Sequence, residues 1–275
     1  MHGDAAMTIT RPVLRYPGGK FKLAKWIISH FPQHSFYVEP YGGAGSVLMQ
    51  KPRTQGEIYN DLNGDVVNVF RVLRDPIQAK ELERVARLTP FAYEEYHYAY
   101  EPCDDPIERA RRMIFRSFAT IGSDGVTRRG AGFRGLKNNE TSVTAAQEWA
   151  RWPDAIDAFV ERLKFVLIES RPALHLLQLY DRENTLFFCD PPYVQSTRPN
   201  SGLMYPFEMS DDDHRELAQV LLSLKGMVVL SGYTSTLYDG LFPGWMKVVK
   251  SATAQNGHKR MECLWLSPNI KTRMF

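Results

Sequence analysis

The chain reads as an α/β protein: a largely parallel sheet with covering helices, interrupted by a mainly helical insertion. Three observations give this reading. Short apolar runs with strand character alternate with helical segments in both end portions of the 275 residues, 13–75 and 164–275. The stretch 76–163 has another texture, helical and rich in arginine and tyrosine. Proline or glycine closes several of the apolar runs, and neither continues a central strand well. Strands separated by helices pair in parallel through right-handed crossovers. Such a pattern fixes a fold class and leaves function open.

The elements follow in order. Residues 20–31 put Leu23, Trp26, Ile27 and Phe31 on one helical face, and Pro32 stops the run. Phe36, Tyr37 and Val38 read as a buried strand ended by Pro40 and the glycines behind it. Residues 46–50 can begin a helix, and Ile58 and Tyr59 form a second short strand ended by Asn60 and Asp61. Asn63 or Asp65 can cap the next helix, which carries Val66, Val69, Phe70 and Leu73. A glycine- and arginine-rich loop at 122–135 breaks the insertion. Residues 165–168, 185–189, 227–230 and 261–266 read as strands. Helices are expected near 173–180 and over 211–224, the latter with Asp211, Asp212 and Asp213 at its positive end.

Composition narrows the class. Hydrophobic residues make up 44% and charged residues 24%, ordinary values for a globular protein with a real core. No apolar run approaches the roughly 20 residues that cross a bilayer, so a cytoplasmic protein is expected. Residues 1–12 lack a signal-type apolar stretch and read as a disordered leader. A net charge of +3 is too small to argue for a nucleic-acid partner by itself. Cys103, Cys189 and Cys263 are too far apart for a metal or redox pair and read as reduced, buried thiols. No metal cluster is visible.

Four motifs carry chemistry. Glu39-Pro40-Tyr41-Gly42-Gly43-Ala44-Gly45-Ser46 runs from a buried strand through a glycine turn into a helix. Ligands of doubly wound folds sit at such strand ends, where glycines admit a ligand close to the backbone. The turn suits a nucleoside cofactor or is simply tight. It has no lysine-serine pair of a phosphate loop, and a dinucleotide dehydrogenase would want a cleaner turn. Asp61, about 20 residues on, can accept hydrogen bonds from ribose hydroxyls, or cap a helix. Asp190-Pro191-Pro192-Tyr193 follows the strand at 185–189. The Asp190 carboxylate and Pro191 carbonyl can both accept from an exocyclic amine, favouring a pyramidal nitrogen with its lone pair free. Tyr193 can stack on the base. Tyr16-Pro17-Gly18-Gly19-Lys20 precedes the first helix. It is a helix-start turn in which Tyr16 could pack on a purine and Lys20 reach a carboxylate.

Taken in this order, the motifs resemble those of the Dam-type (D12 class, alpha group) adenine-N6 DNA methyltransferases. The resemblance covers roughly residues 13–75 and 164–267. It implies a Rossmann-like sheet domain dependent on S-adenosylmethionine, with 76–163 as a helical target-recognition insertion. It implies a site-specific methyltransferase acting on a flipped-out adenine in double-stranded DNA, as found in restriction-modification systems or phages. Tyr16, Gly18, Gly19 and Lys20 would contact S-adenosylmethionine, Glu39 to Ser46 would wrap it, and Asp61 would hold its ribose. Asp190 to Tyr193 would hold the adenine beside the methyl group, with Asp190 close to the cofactor too. Arg128, Arg129, Arg134 and Lys137 in the insertion can read guanine edges or grip phosphate, or form an exposed charged loop; Lys259 and Arg260 near the end could touch DNA phosphates or be a solvated charge pair. The arginines depart from the Tyr/Asn/Gly-rich hairpin of the type enzymes, which leaves the target sequence open. N4 of cytosine or adenine in RNA would suit the same tetrad, and a non-catalytic DNA-binding regulator is the rival of another class. One active site per chain fits a monomer.

Overall fold

A computed structural model describes residues 8–122, 124–126, 132–135, 143–198, 205–253 and 259–270. Of the expected leader, 1–7 lie outside the described residues, and 8–12 form no helix or strand. Seven strands form one sheet: β1 (Phe36–Glu39), β2 (Gly56–Asn60), β3 (Val166–Glu169), β4 (Thr185–Cys189), β5 (Met227–Tyr233), β6 (Met246–Thr253) and β7 (Lys259–Leu266). Their order is β3-β2-β1-β4-β5-β7-β6. The pairs β1–β2, β1–β4 and β4–β5 are parallel, as the alternation of strands and helices requires. The expectation of parallel pairing fails at one edge, where β7 runs antiparallel to both β5 and β6. β6 and β7 are consecutive along the chain and pair over their full lengths, from Met246–Leu266 to Thr253–Lys259. β6 was not among the expected strands. Its sequence, MKVVKSAT, has too few apolar residues to signal one.

The helices are α1 (Ala24–Ile28), α2 (Ser46–Gln50), α3 (Gly64–Arg74), α4 (Pro76–Leu88), α5 (Tyr93–Tyr98), α6 (Pro106–Ala119), α7 (Ala145–Ala150), α8 (Ile156–Leu163), α9 (Ala173–Leu179), α10 (Asp211–Ser223) and α11 (Thr236–Leu241). α1 is shorter than the 20–31 its periodicity predicts. At its end His30 and Phe31 bond back only three residues, tightening the last turn ahead of Pro32. α4 and α6 start alike, with Asp75 and Asp105 accepting backbone N–H groups and a proline at the first helical position. Ser210 and Asp213 form a capping box on α10.

The chain divides into two compact units. The helical unit holds residues 1–24, 43–50 and 64–166. It therefore takes in α2 and α3 as well as the insertion. Within it α3 packs on α4, α6 and α8, and Trp152 donates to the Val13 carbonyl at 3.1 Å. The sheet unit holds the rest. Side chains alternate across a strand. Val38, Phe187, Leu230 and Trp265 therefore share one face of the sheet, packed with Leu176, Leu217 and Tyr238 from α9, α10 and α11. Tyr37, Glu39, Phe188 and Ser231 lie on the other. Cys189 and Cys263 are buried as expected, whereas Cys103 is half-exposed in the loop before α6.

Candidate active site

In the sheet unit the ends of β1, β2 and β4 come together where the strand order reverses, between β1 and β4. Ligands of open α/β sheets bind outside such strand ends. Glu39, the last residue of β1, is buried and accepts a hydrogen bond from the Tyr37 hydroxyl at 3.0 Å. Lys51 stands over the Tyr37 ring, 4.5 Å from its centroid, and pairs with Glu57 at 2.6 Å. Asn60, the last residue of β2, is fully buried. Its amide donates to the carbonyls of Pro40 (2.8 Å) and Arg171 (3.0 Å), and its oxygen accepts from the Arg171 N–H at 2.8 Å. The Gly42 N–H closes the pattern by donating to the Asn60 carbonyl at 2.7 Å. A Cβ on Gly42 would stand 2.2 Å from Cε2 of Tyr59, so glycine is required for this close approach. Asp61 follows immediately. Its Oδ1 accepts the Asn63 N–H at 2.8 Å, a local turn, and its carbonyl accepts the Ser170 hydroxyl at 3.0 Å.

The tetrad at 190–193 leaves β4 at the same edge. Asp190 is half-buried, with Oδ1 enclosed. Tyr193 is 7% exposed. Its hydroxyl donates to Oε2 of Glu262 on β7 at 3.0 Å and meets the Ser231 hydroxyl at 2.8 Å. Its ring meets Tyr233 edge-on at 4.6 Å. Burial, reinforced by the negative charges of Asp190 and Glu262, pushes the Tyr193 phenol well up, so it stays protonated and donates. The Arg198 guanidinium donates to the Tyr193 carbonyl and is itself held by Glu208 at 2.8 Å. Burial likewise raises the Tyr41 phenol.

In the helical unit the Tyr16 ring lies against Gly43: a Cβ there would stand 3.2 Å from Cδ1 of Tyr16. Gly43 also has a φ of 48°, which disfavours any side chain. Tyr16 and Gly19 close a turn at 3.0 Å, and the buried Lys20 donates to the Gly18 carbonyl at 2.5 Å. Ser46 Oγ, which opens α2 behind the glycines, is buried with no hydrogen-bond partner among the described residues. An orphaned buried hydroxyl costs about 1–3 kcal/mol unless something bonds to it. It stands at the end of the turn expected to wrap a cofactor.

The expected DNA contacts are less defined. Arg128, Arg129 and Lys137 lie outside the described residues, as do the side chains of Lys259 and Arg260 at the start of β7. Arg134 is described: it pairs with Glu148 at 2.6 Å. In the sequence Asn60 shows only as the end of a strand, and Arg198, Ser231 and Glu262 belong to no site motif. Glu262 carried a signal, since it is the one charged residue in the apolar run 261–266.

Residues 16–247 match the model of the D12 class N6 adenine-specific DNA methyltransferases. The chain belongs to this family and methylates N6 of adenine in DNA. It is similar to the DNA adenine methylase of Salmonella typhi, 24% identical over 241 residues covering 84% of each chain. It is also similar to that of Haemophilus influenzae (strain ATCC 51907 / DSM 11121 / KW20 / Rd), 23% identical over 269 residues, 92% of this chain and 91% of the other. The methylase of Escherichia coli (strain K12) is 23% identical over 268 residues, 92% and 93% of the two chains. The family match begins at Tyr16 and spans all four motifs. Among the described residues no helix is long and apolar enough to cross a membrane.

Proposed function

We propose that the methyl donor is S-adenosylmethionine and that the substrate is an adenine flipped out of double-stranded DNA by a monomeric, cytoplasmic enzyme. When bound, this donor supplies an electrophilic methyl group on a sulfonium. Tyr16, Gly18, Gly19 and Lys20, the turn from Glu39 to Ser46, and Asp61 hold it. The Ser46 hydroxyl, which has no partner among the described residues, and the bare backbone at Gly43 support that assignment.

The observation that carries the reading is the anchored tetrad at the end of β4, with Tyr193 tied by its hydroxyl and its carbonyl. Asp190 and the Pro191 carbonyl accept the two N–H groups of the adenine amine. That amine is a poor nucleophile because its lone pair is spread into the ring, and two acceptors draw it toward a pyramidal geometry. Asp190 also stabilises the positive charge that grows on the nitrogen. Pro191 and Pro192 fix the backbone, and Tyr193 offers an aromatic face to the extruded base. Arg128, Arg129, Lys137, Lys259 and Arg260 grip phosphates or read guanine edges. Arg134 joins them by exchanging Glu148 for DNA.

Unmethylated duplex DNA treated with labelled donor and digested to nucleosides should carry label in N6-methyladenine. Label in N4-methylcytosine, or in RNA only, would overturn the substrate. In calorimetry Asp61→Ala should weaken S-adenosylmethionine about tenfold or more. Unchanged affinity would remove Asp61 from the cofactor site.

A further inference from the structure

We infer that Glu262 is a positioning residue for methyl transfer, fixing the Tyr193 ring beside Asp190 through the Tyr193 hydroxyl. The inference rests on the proposed role of Tyr193 at the target base. It starts from register. Glu262 of β7 pairs with Tyr233 of β5, and Leu264 pairs with Ser231. Cross-strand partners share a face, and so do residues two apart. Ser231, Tyr233 and Glu262 therefore form one patch on the sheet, and Tyr193 meets all three.

The patch holds the hydroxyl end of the ring. A tyrosine has two side-chain torsions. Its backbone end is fixed by Pro191 and Pro192 before it and by the Arg198 guanidinium on its carbonyl. Its hydroxyl end is fixed 3.0 Å from Glu262 and 2.8 Å from Ser231. With both ends held, less rotamer freedom is left to lose when a base arrives. Preorganisation of this kind lowers the cost of reaching the reactive geometry.

Folding alone does not explain the residue. Glu262 is only 9% exposed, on a strand whose next four residues are buried and apolar or nearly so. Burying a carboxylate is costly unless it is bonded, and an apolar residue of similar volume usually serves stability as well or better. A buried acid that spends an oxygen on the Tyr193 hydroxyl makes sense if the position of that ring matters.

The test is a double-variant cycle in the full chain, read as kcat and KM on unmethylated duplex DNA. S-adenosylmethionine affinity and the thermal midpoint are measured alongside. Glu262→Ala and Tyr193→Phe should each lower kcat about tenfold, the scale of one hydrogen bond to a buried charge. KM for DNA and cofactor affinity should barely move. Glu262→Gln, whose amide oxygen still accepts from the hydroxyl, should recover most of the rate. The double variant should be no slower than either single one. Should Glu262→Ala not fold, Glu262→Leu fills the volume and carries the same comparison. Full kcat with only a lowered thermal midpoint would overturn the inference, and so would losses that multiply in the double variant. If Tyr193→Ala and Asp190→Ala also kept full kcat, the proposed base site itself would fail. If they lost it while Glu262→Ala did not, only the role of Glu262 would fall.

Discussion

The two halves of the sheet contribute to the site in different ways. The parallel half, β2-β1-β4-β5, ends in loops whose backbones are locked together by Asn60, Gly42 and the two prolines. The antiparallel edge, β7 and β6, sends in one side chain, Glu262, from the middle of a strand. The first kind of contribution depends on backbone geometry and tolerates almost no added atoms. The second depends on a single polar contact and should tolerate changes that keep an acceptor. A strand-end site can thus be built by turns on one side and trimmed by a strand face on the other.

Packing should separate the two halves most strongly. Phe187→Ala, in the fully buried centre of β4, should cost about 3–5 kcal/mol in urea unfolding. Val249→Ala, on the exposed edge strand β6, should cost well under about 1 kcal/mol. Equal costs would erase the contrast. Next is Gly42→Ala, which drives a methyl group into the Tyr59 ring. It should destabilise by about 1–3 kcal/mol and weaken the cofactor by displacing the loop. Calorimetry together with unfolding would show whether the two losses travel together.

A pH-linked effect comes from the helix layer over the parallel half. His214 is fully buried on α10, its Nδ1 2.9 Å from the Tyr238 hydroxyl. Burial lowers its pKa to about 4. The unfolded chain takes up that proton near the ordinary value of about 6.5, the native chain only near 4. Stability contributed by the neutral ring is therefore present above that ordinary value and is lost as pH falls toward 4. Unfolding midpoints measured across that window should fall, and His214→Gln should flatten the fall. The smallest effect belongs to the edge: Lys247→Ala removes a solvent-facing pair with Asp239 and should change stability by no more than about 0.5 kcal/mol.

Much of the parallel half was legible in the sequence because its strands are short apolar runs bounded by proline and glycine. The strand 185–189 was read at its observed bounds, and the four motifs fell on the turns expected for them. β6 was hidden because an edge strand with one solvent face needs few apolar residues. The reversal at β7 was hidden because strand direction is set by the connection, and apolar spacing along the chain does not report it. The site roles of Asn60, and of Glu262 beyond its being a charge in an apolar run, were hidden for a common reason. Their importance lies in which backbone or hydroxyl they reach across the sheet, and spacing along the chain does not encode that.

The proposed reaction depends most on Asp190 holding the adenine amine during methyl transfer. The most direct test is single-turnover transfer of tritiated methyl from saturating S-adenosylmethionine to unmethylated duplex DNA, native chain against Asp190→Ala. The native chain should place label in N6-methyladenine, and Asp190→Ala should be slower by about a hundredfold or more. Transfer by Asp190→Ala at the native rate would contradict the account.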